Sequence, residues 1–171
     1  DLIVRNTIEK QGATPSFLGY GGFPASACIS VNNVVIHGIP SKNQILKEGD
    51  IVSVDLCAYK NGFHGDAART FCIGNVSEEK RNLVKVAEEA FFKGIANLRA
   101  GTPLYDIGYK IQSYVESFGY GVVRAYAGHA IGRDMHEDPE VPNYGKPGRG
   151  PRLVPGMTIC IEPMINSSTA D

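Results

Sequence analysis

The sequence predicts an α+β domain built around an antiparallel sheet. Two apolar segments, 51–59 and 63–73, alternate on either side of a short turn and indicate paired strands. Two amphipathic helical segments follow over 77–119, and two further strand-like segments lie closer to the C-terminus. Strands and helices therefore occur in separate blocks along the chain, which is typical of α+β folds.

The strongest local signal is the turn Asn61-Gly62 between IVSVDLCAY (51–59) and FHGDAARTFCI (63–73). Asn-Gly between two alternating segments is the best short-range indication of a two-residue β-hairpin. If these two residues form the turn, Lys60 faces Phe63. Counting outward along the strands then fixes the partner of every other residue.

Two helices are predicted after the hairpin. Ser77 is a candidate N-cap for the first, and Gly101 is its predicted end. Thr102 is the predicted cap of the second helix, with Pro103 in its first position and Gly119 at its end. Apolar residues recur on one face of each helix, so both are expected to pack on a core.

The other elements have weaker signals. Residues 1–11 indicate the tail of a helix, and residues 17–40 are short apolar runs broken by Gly, Pro and Asn. Residues 121–132 indicate a strand, residues 139–151 a loop rich in Pro and Gly, and residues 157–165 a last strand.

Composition excludes several classes of protein. Apolar residues make up 43% of the 171, and the formal net charge is −1, so a disordered chain and a basic nucleic-acid binder are both disfavoured. No apolar run approaches the ~18 residues of a membrane span. The four cysteines include no CxxC pair, which favours free thiols in a reducing cytoplasm over a structural zinc site.

Asp55 is the most informative residue, because a carboxylate inside IVSVDLC is expected to be buried and therefore to need a partner. The predicted hairpin places Cys57 opposite Asp66 and Asp55 opposite Ala68. Asp55 and Asp66 then share one face as diagonal neighbours about 7–8 Å apart. Two like charges this close either share a proton or bind cations.

Two more residues suit a cation site. His129 is flanked by the small residues Gly128 and Ala130, and Glu162 lies in the apolar segment MTICIEPM. Two Asp, one His and one Glu form a hard donor set that fits Mn²⁺, Fe²⁺ or Co²⁺, with Zn²⁺ also possible, and carboxylates can bridge two ions.

Each residue also has an ordinary structural interpretation. Asp55 could belong to an ion pair, Asp66 to a turn, His129 to the core, and Glu162 to a strand end. His37 could likewise be a core residue, and His136 a surface ion-pair partner. His64, close to the hairpin turn, is interpreted as structural. The residues alone leave these alternatives open.

Around these same positions the sequence resembles the type I methionine aminopeptidases. The matching segments occur in family order and cover most of the chain: FLGYGGFPASACIS (17–30), VVIHGIP (34–40), DIVSVDLCAYKNGFHGDAARTF (50–71), GHAIGRDMHEDPEVPNYG (128–145) and PGMTICIEPMI (155–165). The resemblance implies the pita-bread (creatinase/aminopeptidase) fold, with an antiparallel sheet, helices on one side and pseudo-twofold halves. It also implies an enzyme that removes the initiator methionine when the second residue is small.

The resemblance further implies a site with two divalent metal ions (Co, Mn, Fe or Zn) held by Asp55, Asp66, His129 and Glu162. A fifth ligand, a glutamate on a further strand, would lie beyond residue 171. The expectation is therefore a single catalytic domain over 1–171 that is truncated at both ends relative to the family, and that has little activity in this length.

Roles for further residues follow from the same resemblance. Glu162 would act as general base as well as ligand, His136 would donate to the scissile carbonyl, and His37 would orient the substrate. The pocket for the methionine side chain would be lined by Tyr20, Phe23, Cys28, Phe17 and Met135. Phe17 stands where relatives often have a smaller residue, and Met135 where they often have Phe.

The expected partners are the N-termini of nascent polypeptides near the ribosome, with no need for nucleic acid or membrane, and the expected state is a cytoplasmic monomer. Two rivals remain. An X-Pro aminopeptidase or dipeptidase of the same fold is disfavoured by the Tyr20–Cys28 segment and by the short Gly128–His136 spacing. A non-catalytic binding module of this fold is disfavoured because all four ligands expected in this span are present.

Overall fold

The structure is a computed structural model and describes residues 1–168, so residues 169–171 of the predicted domain lie outside it. Three α-helices are present in this range, α1 (Leu2–Lys10), α2 (Glu78–Ile95) and α3 (Tyr105–Glu116), together with a short 3₁₀ turn at Tyr20–Gly22. The strands are β1 (Thr14–Pro15), β2 (Cys28–Val31), β3 (Ile51–Lys60), β4 (Phe63–Cys72), β5 (Gly121–Val122), β6 (Gly128–Ala130), β7 (Glu137–Val141) and β8 (Ile165–Asn166).

The chain forms two compact units. The first consists of Asp1–Arg81 and Gly132–Met135, and the second of Asn82–Ile131 and His136–Asp171. The first unit contains α1 and the sheet of β1 to β4, and the second contains α3 and β5 to β8.

The hairpin of the first unit has the predicted register. Lys60 pairs with Phe63, and β3 and β4 remain paired over their full length to Ile51 and Cys72. Asn61 (φ 52°) and Gly62 (φ 87°) both have positive φ, as a two-residue hairpin turn with the twist of the strands requires. On its other side β3 pairs antiparallel with β2 and with β1.

The second unit packs α3 and the part of α2 from Asn82 onward around an apolar core. Its fully buried members lie on one face of each helix and on the adjacent short strands: Val86, Ala90, Leu104, Ile107, Ile111, Val115, Val122 and Val141. Gly94 permits close contact between the helices, because a Cβ there would lie 2.9 Å from Ile111 Cγ1.

The start of α2 is as predicted, since the Lys80 N–H donates to Ser77 Oγ at 3.3 Å. The predicted end of α2 is wrong, because the helix stops at Ile95 instead of Gly101 and Asn97 already has a φ of 63°. The N-cap predicted for α3 is also wrong. That helix begins at Tyr105, and Thr102 Oγ1 accepts a bond from the Arg99 N–H.

The later start of α3 has a tertiary cause. The N–H of Leu104 donates to the Pro151 carbonyl at 2.8 Å, and that of Tyr105 donates to Arg149 at 3.1 Å. The N–H of Leu153 donates back to Thr102. These long-range bonds, with the isolated bridge between Pro103 and Arg152, hold Thr102 and Pro103 against the 151–153 segment, while Leu104 already has helical dihedral angles. Local capping signals do not reveal these contacts.

The predicted strands of the second unit are shorter than expected. Segment 121–132 divides into β5 and β6, and β7 occupies the start of the segment predicted as a loop. Within 157–165 only Ile165 lies in a strand, although Ile159 forms an isolated bridge with Ala130. All strand pairs among residues 1–168 are antiparallel, as the α+β prediction requires. Within residues 1–168, no helix is both long and apolar enough to cross a membrane.

Candidate metal centre

In the first unit, Asp55 and Asp66 lie on the same face of the β3–β4 hairpin. Asp66 is opposite Cys57, and Asp55 is opposite Ala68 on one side and Cys28 of β2 on the other. Side chains alternate between the faces of a strand, so Asp55 lies on the face of Cys57 and therefore of Asp66. The same-face prediction from the Asn61-Gly62 turn is confirmed.

Two thiols lie close to these carboxylates. Burial, followed by the negative charges of Asp55 and Asp66, raises the pKa of the Cys28 thiol to about 12. Burial is also the main cause that raises the pKa of the Cys57 thiol to about 11, and both carboxylates contribute again. The two carboxylates therefore act on the same small volume, where a cation would be electrostatically favoured.

In the second unit, His129 on β6 faces Glu162. His129 Nδ1 is 2.9 Å from the Ala130 carbonyl oxygen, and because that oxygen can only accept, Nδ1 carries the hydrogen. In a neutral imidazole Nε2 then has a lone pair, and it lies 3.3 Å from Glu162 Oε1. Two acceptors at this distance need either a proton between them, on the imidazole or on the carboxyl group, or a shared cation.

The backbone that bears Glu162 is held by two close contacts. The fully buried Asn143 donates from Nδ2 to the Glu162 carbonyl oxygen at 2.6 Å. A Cβ on Gly128 would overlap the Cys160 carbonyl oxygen, so glycine is required where the 160–162 segment passes β6. Sequence reasoning missed Asn143, since an Asn in VPNYG looks like an ordinary loop residue.

His136 completes the group of functional candidates in the second unit. Its ring centroid lies 4.3 Å from that of His129, with the ring planes at 55°. His136 is exposed, whereas His129 is buried. An exposed imidazole next to a buried one can reach a molecule in solvent, as a hydrogen-bond donor to substrate must.

His37 lies in the first unit and is held through its neighbours on the chain. Gly38 packs against the backbone of β2, where its carbonyl accepts from the Ile29 N–H at 2.7 Å and its N–H donates to Ser30 Oγ at 3.0 Å. His37 itself has a φ of 59° and is exposed, and its N–H donates to the Cys28 sulfur. The segment predicted to orient substrate is therefore tied to the strand beside Asp55.

The residues predicted to form the methionine pocket all belong to the first unit. Phe17 and Phe23 are in edge-to-face contact with ring centroids 6.4 Å apart, and Tyr20 lies in the turn between them and is exposed. Cys28 and Met135 are buried. These positions provide apolar and sulfur-containing surface, which suits a thioether side chain.

The donors of both units fit divalent cations. The first unit offers two carboxylates on one face, and the second offers an imidazole lone pair that faces a carboxylate oxygen. Such a set of hard oxygen donors with one imidazole matches Mn²⁺, Fe²⁺, Co²⁺ or Zn²⁺.

Comparison with known proteins agrees with this chemistry. Residues 2–170 match metallopeptidase family M24. The chain is 62% identical to the methionine aminopeptidase of Clostridium acetobutylicum over 169 residues, which is 99% of this chain and 68% of that protein. It superposes on the crystal structure of methionine aminopeptidase from Rickettsia prowazekii with a TM-score of 0.95 at 46% identity, covering 98% of this chain and 67% of that one.

A more distant structural relative is the prolidase from Pyrococcus furiosus, with a TM-score of 0.70 and 26% identity over 80% of this chain and 40% of that one. The chain belongs to metallopeptidase family M24 and has the pita-bread fold of that family. Within the family it belongs with the methionine aminopeptidases, whose sequences and structures it matches far better than the prolidase. It spans about two thirds of the length of the methionine aminopeptidases it matches.

Proposed function

We propose that the protein is a metal-dependent aminopeptidase that hydrolyses the bond after an N-terminal methionine when the second residue is small. The observation that carries the metal dependence is the pair of facing acceptors, His129 Nε2 and Glu162 Oε1, at 3.3 Å. The specificity for methionine rests on similarity to relatives named methionine aminopeptidase, at 62% identity for the Clostridium acetobutylicum protein.

In this proposal Asp55, Asp66, His129 and Glu162 are ligands of two divalent ions, which could be Co, Mn, Fe or Zn. The ions, when bound, supply Lewis acidity that makes water nucleophilic near neutral pH and polarises the scissile carbonyl. The support is the shared face of the two aspartates and the orientation of the His129 imidazole.

Individual residues of the chain then carry out the proton transfers and contact the substrate. Glu162 is the general base, and it passes a proton toward the leaving amine. His136 donates to the developing oxyanion, and its exposure beside His129 supports this role. His37 orients the scissile amide, and the free α-amine of the substrate lies near Asp55, which restricts cleavage to the N-terminus.

The methionine side chain is proposed to bind against Phe17, Tyr20, Phe23, Cys28 and Met135. The edge-to-face contact of Phe17 and Phe23 provides a rigid aromatic wall, and Cys28 adds a polarisable sulfur beside Asp55. The restriction to substrates with a small second residue follows if the pocket that receives the side chain of this residue is shallow.

We further propose that residues 1–171 belong to one catalytic domain. Its substrates are nascent chains emerging near the ribosome, and it works as a cytoplasmic monomer without nucleic acid or membrane. The family relationship supports the peptide substrate, and the net charge of −1 is compatible with a protein that needs no polyanion.

The decisive experiment compares peptides that begin Met-Ala, Met-Gly or Ala-Pro, hydrolysed by the full-length protein with Mn²⁺ or Co²⁺. The proposal expects cleavage of the first two, and loss of activity by at least about 100-fold in Glu162→Gln, since the base is removed. The matched control is Glu78→Gln, on the first turn of α2. Preference for Ala-Pro would favour the prolidase alternative, and failure to bind either ion would favour a non-catalytic module.

A further inference from the structure

The hairpin face that bears Asp66 continues with polar groups toward the turn. Cys57 lies directly opposite Asp66, and the next pair on this face is Tyr59 opposite His64. Cys57 has no exposed surface, and the rings of Tyr59 and His64 lie with centroids 4.8 Å apart. A fully buried thiol and a half-buried imidazole therefore lie next to a candidate metal ligand, and the proposed reaction assigns neither a role.

Ser16 joins these groups. Its N–H donates to the Cys57 carbonyl at 2.8 Å, which fixes the segment after β1 against β3. Ser16 Oγ lies 2.9 Å from His64 Nδ1, whereas Cys57 Sγ is 4.0 Å from the same nitrogen, so the hydroxyl is the main partner of the ring. The Cys57 side chain hydrogen-bonds both Ser16 and Asp66.

The direction of these bonds follows from the donors available. An ionised Asp66 can only accept, so the Cys57 S–H donates to it. The Cys57 sulfur has no second hydrogen, so the Ser16 O–H must donate to the sulfur. Ser16 Oγ can then only accept from His64, which requires the hydrogen of a neutral His64 to be on Nδ1.

On the basis of the proposed metal site, we infer that His64, Ser16 and Cys57 form a directed hydrogen-bond chain, from Nδ1–H to Oγ–H to Sγ–H, that fixes the orientation of the Asp66 carboxylate. The three residues are positioning residues. They act on Asp66 through the Cys57 thiol, which hydrogen-bonds the carboxylate.

The physical benefit is preorganisation. A carboxylate that rotates freely must lose that freedom when it binds a cation, whereas one already held by a donor does not. Bonds that all point the same way also polarise one another in a buried setting. A thiol is a weak donor, so the alignment with Ser16 and His64 matters more here than it would for a hydroxyl.

The first test is the tautomer of His64 in the full-length protein, read from ¹⁵N chemical shifts of labelled histidines about two pH units above the ordinary histidine pKa of ~6.5. His64→Gln assigns the signal. The inference expects hydrogen on Nδ1 in the parent and loss of this preference in Ser16→Ala. Hydrogen on Nε2 in the parent, or a tautomer that does not respond to Ser16→Ala, would overturn the chain.

The second test measures Mn²⁺ affinity by calorimetry for the parent, Cys57→Ser and Cys57→Val. Serine can repeat both bonds, so its affinity should remain within about threefold, whereas valine should weaken binding by about 10–100-fold. Cys72→Val, at the far end of β4, is the matched control and should bind like the parent. Equal affinity in folded Cys57→Val would contradict the inference.

Circular dichroism and thermal unfolding establish whether each variant is folded. If Cys57→Val does not fold, Ser16→Ala replaces it, because removal of a hydroxyl leaves the buried packing of the thiol intact, and it should weaken Mn²⁺ binding by about tenfold. A parent protein that binds neither Mn²⁺ nor Co²⁺ would contradict the proposed function itself. A parent that binds Mn²⁺ with no effect of either substitution would refute only the hydrogen-bond chain.

Discussion

Gly128 lies against the carbonyl of Cys160 so closely that a Cβ on the glycine would overlap the oxygen. The contact brings the 160–162 segment alongside β6, where the Cys160 N–H donates to the His129 carbonyl at 2.7 Å. The mutual arrangement of His129 and Glu162 therefore depends on a residue that has no side chain.

Gly128→Ala should destabilise the protein by about 2–3 kcal/mol, because the obstacle is backbone that can move only if β6 separates from its neighbour. It should also weaken metal binding, since the 3.3 Å separation of His129 Nε2 and Glu162 Oε1 would change. Chemical denaturation measures the first effect and calorimetry the second. Gly65→Ala, at a strand position with open space, is the control and should change stability by less than about 0.5 kcal/mol. Equal stability of the two variants would contradict this account.

Asn143 supports Glu162 through a single bond to its carbonyl, with Nδ2 as donor. Asn143→Ala should destabilise the protein by about 1–3 kcal/mol, because a buried carbonyl loses its partner. Asn143→Asp should destabilise the protein more than Asn143→Ala, although aspartate has the same shape as asparagine. An ionised carboxylate cannot donate a hydrogen bond and would repel the Glu162 carbonyl oxygen. The comparison is made by thermal unfolding at neutral pH. An aspartate variant as stable as the parent would show that the bond to Glu162 is dispensable.

Asp50 should make the free energy of unfolding decrease at low pH. Hydrogen bonds from the Asn32 side chain and the Lys47 N–H, with smaller help from the charges of Lys80 and Lys47, hold the pKa of Asp50 below its usual 3.8. The folded state thus binds this proton less readily than the unfolded state. The stabilisation is complete above pH 3.8 and is lost as the pH falls through the lower folded pKa.

Asp50→Asn should therefore lower the melting temperature at pH 7, and the difference from the parent should shrink as the medium becomes more acidic than pH 3.8. Melting curves at several pH values test this. Glu140→Gln, an exposed residue on β7, serves as control for the loss of one charge. A difference that grows in acid would have the wrong sign for this explanation.

Cys28 and Cys57 should resist alkylation. Their thiols have pKa values raised to about 12 and about 11, chiefly by burial, so few thiolates form at pH 8. Iodoacetamide should modify the partly exposed Cys72 at least about tenfold faster, as mass spectrometry of the peptides would show. In urea the cysteines should react at similar rates. Rapid modification of Cys57 in the folded protein would mean that its thiol is neither buried nor engaged with Asp66.

The accuracy of the sequence predictions depended on how local each interaction is. The hairpin register was predictable to the residue, because Asn61-Gly62 sets it and the alternation of side chains does the rest. The start of α3 was not predictable in this way, because backbone hydrogen bonds to Pro151 and Arg149 influence it. For the same reason neither Asn143 nor Ser16 could be assigned a role, since each acts on a residue far away in the chain.

The two-residue turn at Asn61-Gly62 also determines which residues of β4 share a face with Asp55, because that face depends on the number of residues between the turn and each side chain. One residue inserted into β4 between the turn and His64 would send His64 and Asp66 to the opposite face, away from Asp55 and Cys57. Two inserted residues would return them to the original face, but His64 would then lie opposite Cys57 and Asp66 directly opposite Asp55. Each insertion or deletion of one residue in β4 therefore moves the side chains beyond it to the other face of the sheet. Substitutions in this hairpin leave the shared face of the two carboxylates unchanged, whereas one residue added to or removed from β4 before Asp66 places them on opposite faces.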